Sequence, residues 1–306
     1  SCAFWYPCND HPTDKATFRL TATVPSRFTV LSNGLQGSTT SAGSGSTATK
    51  TYRWHLDTPT ATYLTTILVD ELTVQRSTLS DGTPVVDAYS PGARNEEANE
   101  ARLPAILRLL ASKFGPYPAP AAGGLFVDSR VGFSLETFSR PVYTAQVPLT
   151  TIVHENAHQW WGDNVSIERW KDVCLNECMA SYAQWLWREH NGADLDAYYR
   201  RTVNQVDFSV PLYDMGPGNE FTYAGVYLKG AYFEHALRRY IGDDATYFDA
   251  LQGVQQDFAG ENMSMLELRD QLSRRTGVDL TDLWREWVLS TQRPSVATLF
   301  PGTLAT

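Results

Sequence analysis

The sequence predicts an α+β protein: an all-β module over residues 1–75, then a mixed α/β region over 76–306 whose second half is largely helical. Three observations carry this. From Phe18 to Val30 the residues alternate as a half-buried strand should, and Asn33-Gly34 supplies a turn. After Asp81-Gly82 the texture changes to strands alternating with helices. From Cys174 onward the chain reads as mainly helical.

Taken in order, the β module continues at Thr51–Trp54, Thr62–Leu68 and Leu72–Gln75. Between Gly37 and Thr49 a Gly/Ser/Thr/Ala-rich stretch without an apolar anchor reads as a flexible hairpin loop, since strands resume after it. Val85–Tyr89 reads as a strand. Glu96–Phe114 reads as a helix that Pro104 must kink or restart, because proline lacks an N–H and crowds the carbonyl four residues back. Leu125–Asp128 and Gly132–Leu135 read as short strands leading into a helix at about Thr150–Gly162. Later helices are expected at Cys174–His190, Leu195–Phe208, Val226–Ile241, Thr246–Phe258, Met265–Arg274 and Leu280–Leu289. Ser264 with Glu267 forms a capping box, and Gly277 marks a stop.

The 306 residues suffice for a large core, and 42% hydrophobic content indicates a globular chain. A formal net charge of −9 argues against nucleic acid or an anionic membrane as partner. No apolar run reaches the length of a membrane span. The chain starts at Ser1, which reads as a processed or truncated start. The cysteines fall in two pairs, Cys2/Cys8 and Cys174/Cys178. The first pair could bridge a short loop, whereas the second would aim its side chains poorly along a helix. Four free, mostly buried thiols are expected.

The chemistry concentrates in His154-Glu155-Asn156-Ala157-His158 and Leu175-Asn176-Glu177. Residues four apart share a helix face, so His154 and His158 can reach one metal ion, with Glu155 beside them to handle a water proton. Glu177 follows His158 by 19 positions, room for one helix to end and another to begin. Two imidazoles and one carboxylate leave a tetrahedral position open, as in a catalytic zinc site. One zinc ion is expected. Placing Cys174 and Cys178 on the ion fails, because they flank Glu177 on a helix that cannot direct all three inward. No third histidine follows Gly162, where Asp163 and Asn164 stand.

Four segments resemble the aminopeptidase N family of zinc metallopeptidases, which includes the leukotriene hydrolase. Trp5-Tyr6-Pro7-Cys8-Asn9-Asp10-His11-Pro12 is similar to the second half of the family's N-terminal β domain. Phe133-Ser134-Leu135-Glu136-Thr137 stands where the family has Gly-Xaa-Met-Glu-Asn. The metal segment matches in ligands, base and spacing, and Tyr227-Leu228-Lys229-Gly230 matches Tyr-Xaa-Lys-Gly. The resemblance implies a thermolysin-like catalytic domain after the β module, and a short, N-terminally truncated member of the bacterial type. It implies His154, His158 and Glu177 as zinc ligands, Glu155 as general base and Tyr227 as donor to the tetrahedral intermediate. It implies Glu136 as acceptor of a substrate α-amine, with Gly132, Phe133, Ser134 and Leu135 forming the edge along the peptide.

Thr137 departs from the family's Asn, and Phe133 from its Gly, although Gly132 lies one residue earlier. Cys178 is expected to press on the site without displacing Glu177. The expected activity is removal of N-terminal residues from peptides with a free N-terminus. An epoxide-type hydrolase or an endopeptidase would use the same zinc. A non-catalytic peptide-binding chain is the rival of another class, against which the intact His154, Glu155, His158, Glu177 and Tyr227 argue. The short architecture resembles secreted members, which implies an extracytoplasmic location.

Overall fold

A computed structural model describes residues 2–93, 97–128, 132–144 and 146–305. The chain is mixed α+β, strand-rich at the N-terminus and helical in its C-terminal half. It divides into two compact units, one of residues 1–106 and 118–159, the other of 107–117 and 160–306.

In the first unit β1 (Lys15–Pro25) runs antiparallel to the long β5 (Thr49–Ala61). Leu20 faces Trp54 and Ala22 faces Tyr52, so the alternation read from sequence directs one face inward. The Gly/Ser/Thr-rich stretch is more ordered in pairing than its composition suggests. It contributes β4 (Thr40–Ala42), laid on β5 as is β3 (Leu35–Gln36) just before it. Strand β2 (Thr29–Ser32) pairs instead with β6 (Ile67–Asp70). Thr62–Leu64, expected as strand, is a 3-10 turn.

A four-stranded sheet follows, in the order β10-β9-β8-β7. Its strands are β7 (Thr73–Thr78), β8 (Pro84–Tyr89), β9 (Leu125–Val127) and β10 (Val142–Thr144). The β7–β8 pair is an antiparallel hairpin, and β8, β9 and β10 are parallel neighbours. Val30, Leu31, Tyr52, Trp54, Val86, Ala88 and Leu125 form one buried cluster, and the Trp54 indole donates to the Val30 carbonyl (3.0 Å). Pro104 does what its ring requires. The helical run is split into α1 (Glu97–Glu100) and α2 (Leu103–Phe114), the break falling where a proline would crowd the Glu100 carbonyl. Glu96 lies outside the described residues.

Two expectations fail here. Gly132–Leu135 is not a strand: Leu135 alone bridges Val142, because the chain turns sharply at Thr137–Arg140, where Ser139 takes φ +73°. The metal helix α3 spans Leu149–Ala157 and stops short of Gly162. Its continuation is blocked by tighter bonding, since the Gln159 amide turns to the Asn156 carbonyl and Gly162 takes φ +128°.

The second unit is a set of helices: α4 (Cys174–His190), α5 (Leu195–Thr202), α6 (Gly230–Ile241), α7 (Asp244–Asp257), α8 (Met265–Thr276), α9 (Thr281–Trp287) and α10 (Val296–Leu299). The α5 helix ends earlier than expected and passes into a 3-10 turn at Val203–Gln205. Ser264 caps α8 by accepting the Glu267 amide, and Gly277 ends it at φ +72°, as read from sequence. Two short strands, β11 (Ser166–Ile167) and β12 (Asn262–Met263), pair in parallel.

Asn33 is the polar knot of the first unit. Its Nδ2 donates to the carbonyls of Leu64 (2.9 Å) and Phe138 (2.8 Å), while its Oδ1 accepts the Thr66 amide (2.7 Å). Asn33→Leu strands all three backbone groups. It is expected to destabilise the chain by about 3 kcal/mol, the sum of such losses at about 1 kcal/mol each. An unchanged denaturant midpoint for this variant would refute the assignment.

Candidate active site

His154 sits in the last turn of α3 and His158 directly follows the helix, four residues on. Both are buried, and their Nε2 atoms lie 3.1 Å apart with the rings nearly perpendicular. Two imidazole nitrogens at that distance repel through their lone pairs unless they share a proton or a cation. The ligating atoms of Glu136, Glu155 and His158, all in the first unit, fall within 4.8 Å of one another. His154, His158 and Glu177 offer the mixed nitrogen and carboxylate donors that suit zinc. Asn156, between the histidines, braces the helix by donating to Ile152 O (2.9 Å) and Tyr143 Oη (3.0 Å).

Gly132, Phe133, Ser134, Leu135 and Glu136 occupy one extended loop. Gly132 takes φ +41°, Phe133 is exposed, and Glu136 is buried. The turn after Glu136 is closed by the Thr137 hydroxyl, which donates to the Arg140 carbonyl (2.5 Å), so the departure from Asn leaves a hydrogen-bonded turn. Gln159, which the sequence reading missed, ties this loop to the metal helix. Its Nε2 donates to Glu136 O (3.2 Å) and its Oε1 accepts the Ser139 amide (2.7 Å). The Ser139 hydroxyl accepts the Gly34 amide (2.8 Å). The Arg140 guanidinium donates to the carbonyls of Ser32 (2.9 Å) and Gly34 (2.7 Å). Only adjacency to His158 marks Gln159 in the sequence.

In the second unit Glu177 is buried in the first turn of α4, where the helix amides favour a carboxylate. The cysteine expectation is overturned: Cys2–Cys8 and Cys174–Cys178 are both disulfides. The helical pair closes because α4 begins on a tight 3-10 turn, with Asn176 bonded to Val173, leaving the Cα atoms 4.8 Å apart. Tyr227 lies half-buried on a π-helical segment, Tyr223–Lys229, where an α-helix from Val226 was expected. Such segments often occur at functional sites. Lys229 anchors it from inside, donating to Val210 O (2.8 Å) and Ser290 O (3.3 Å), and burial pushes its ammonium down to about 8. Gly230 packs on Cys178, and a Cβ there would lie 2.4 Å from Sγ.

Residues 138–287 match the model of the peptidase family M1 domain, and residues 3–64 that of the peptidase M1 N-terminal domain. The chain belongs to the M1 peptidase family. This M1 chain is 25% identical over 336 residues to aminopeptidase N of Oryctolagus cuniculus, covering 95% of this chain and 34% of that protein. It is 26% identical over 329 residues to aminopeptidase M1-C of Oryza sativa subsp. japonica, covering 97% of this chain and 37% of that protein. It thus spans about a third of the length of these curated relatives. The M1 zinc metallopeptidase of Deinococcus radiodurans has a similar crystal structure (TM-score 0.87, 29% identity, 96% of this chain and 68% of that one). For the M1 chain, the Gly230 contact gives a test. Gly230→Ala should destabilise by about 1–3 kcal/mol, because the neighbour is a disulfide-held helix that cannot yield. A melting temperature equal to the parent's would show that the helices can separate there.

Proposed function

We propose that the chain is a zinc-dependent aminopeptidase acting on short peptides with a free N-terminus. The observation that carries the reading is the buried pair His154 and His158, whose Nε2 atoms lie 3.1 Å apart, together with a buried carboxylate, Glu177, in the first turn of α4. These three residues would hold one zinc ion, which when bound would supply Lewis acidity and lower the pKa of a water towards neutral. Glu155 takes the proton of the attacking water and returns it to the leaving amine. Tyr227 donates its hydroxyl to the oxygen that gains charge. Glu136 accepts the substrate ammonium, and the loop from Gly132 to Leu135 lies along the peptide. A related structure, the Deinococcus radiodurans E323A enzyme, was solved with a Tyr-Ser-Ala substrate, which supports a peptide as the ligand class. Two disulfides suit an oxidising, extracytoplasmic compartment. Among the described residues no helix is long and apolar enough to cross a membrane.

Glu155→Gln should retain stoichiometric zinc by elemental analysis yet lose about 100- to 10,000-fold in turnover, since proton transfer and ligation fall on different residues. Loss of the metal along with the activity would make Glu155 a ligand or a structural group instead. The exopeptidase role is read from an assay matrix of parent and Glu136→Ala against peptides with free and acetylated N-termini. The expected result is a drop of about 100-fold in kcat/KM on the free amine only, as for a buried charge pair that loses a partner. If the parent cleaves both peptides equally, the chain is an endopeptidase.

A further inference from the structure

The first unit contains a second polar cavity of about 200 Å³, lined by Gln75, Ser77, Asp87, Tyr89, Glu97 and Glu100 among others. Among the described residues lining it there is no lysine or arginine. Glu100, from α1, is only 3% exposed; among the described residues neither of its oxygens meets an N–H or O–H donor, and its polar neighbour is the Asp87 carboxyl. Asp87 projects from β8 and accepts the Gly124 amide at Oδ1 (3.0 Å). Gly124 leaves space beside it, since a Cβ there would lie 2.7 Å from Phe126 Cε2 and 3.1 Å from Glu100 Oε1. Two buried acids thus stand side by side, an arrangement that either a shared proton or a cation can balance.

We propose that this cavity is a cation site distinct from the zinc group, taking one partly hydrated, hard divalent ion of the Ca²⁺ class between Asp87 and Glu100. The lining supplies oxygen donors only from its ionisable and hydroxyl groups, which selects against thiophilic and imidazole-seeking metals. The volume admits several waters to complete six to eight ligands. The ionisable groups acting on the pair are Glu97 and Tyr89 around the cavity and Arg140, whose charge reaches Asp87.

In the ion-free state the two carboxyls share a proton. Burial lifts Asp87 to about 6, and burial together with the Asp87 charge lifts Glu100 well above the usual carboxyl range. Of the two, Glu100 is raised further, so the proton of the ion-free pair resides mainly on Glu100. A divalent ion takes the proton's place, so binding must release close to one proton and tighten as pH rises.

The test is calorimetric titration of Ca²⁺ into the purified chain already saturated with Zn²⁺, in two buffers of differing ionisation enthalpy at pH 7. One saturable site, release of about one proton per ion, and a Ca²⁺-dependent rise in melting temperature are expected. Glu100→Gln keeps the shape and a hydrogen bond to Asp87, so it should fold. It should weaken Ca²⁺ at least tenfold, while Glu234→Gln, altering a buried acid elsewhere, should not. No saturable heat in the parent, binding without proton release, or full affinity in Glu100→Gln would each overturn the site. None of these outcomes bears on the zinc reading, which the peptide assays decide.

Discussion

The first unit depends on one constraint, the burial of backbone polar groups around the Asn33-Gly34 turn. A loop carrying Glu136 has no ladder to satisfy it, yet it is buried from Glu136 to Arg140. Besides the Thr137–Arg140 turn, its partners come from elsewhere in the sequence: Asn33 for Phe138, Gly34 for Ser139, Gln159 for Glu136 and Ser139. An unmet buried group costs about 1–3 kcal/mol, so these bonds fix geometry more than they add net stability. Gly34 takes φ +71° with a Cβ position 2.1 Å from His55 O, which no side chain tolerates. The turn that looks like a hairpin signal is also the clamp on the Glu136 loop, which Gln159 ties to the segment of His154 and His158.

This explains which parts of the molecule were legible in sequence. Strands β1, β5 and β8 and helices α4 and α8 carry their own periodicity, caps and stops, so local physics suffices for them. The end of α3 and the π-helix at Tyr223 are shaped also by partners outside the local sequence window, such as Glu136 and Ser139 for Gln159, and Val210 and Ser290 for Lys229. Gln159 could have continued a helix; it ends one because its side chain and amide serve other groups. The cysteines failed for a related reason. An ideal helix turn aims Cys174 and Cys178 poorly, but the tight start after Trp170–Asp172 was not readable from composition.

The candidate site was legible to a greater degree, since ligand spacing is itself a local rule. His154 and His158 share a face by arithmetic, whatever surrounds them. The Tyr-Xaa-Lys-Gly run was readable only as a likeness, and the structure separates its parts physically. Tyr227 is the half-buried hydroxyl, Lys229 is the internal anchor whose ammonium meets two carbonyls, and Gly230 is the gap into which Cys178 fits. A chain substituted at Lys229 or Gly230 could retain the tyrosine and still lose its placement.

Buried acids show how environment divides one residue type into several roles. Glu136 and Glu155 lie within ligating distance of His158, where a bound cation would offset their charge. Glu234 has no such partner. It is buried on α6 with only the Tyr247 hydroxyl nearby (3.3 Å), and desolvation lifts it to about 8. Its folded pKa lies above the unfolded value of 4.5, so the stability gained by keeping it neutral is full below that value. That contribution fades as pH rises towards about 8, because the folded chain then holds a proton that the unfolded chain has released. Glu100 stands between the two cases. It is as buried as Glu234 but faces a second carboxyl and a water-sized space, so a proton and a divalent ion compete for the same charge deficit. The net charge of −9 is therefore a poor guide to function; what decides is which acids the fold has taken out of water, and what it has placed beside them.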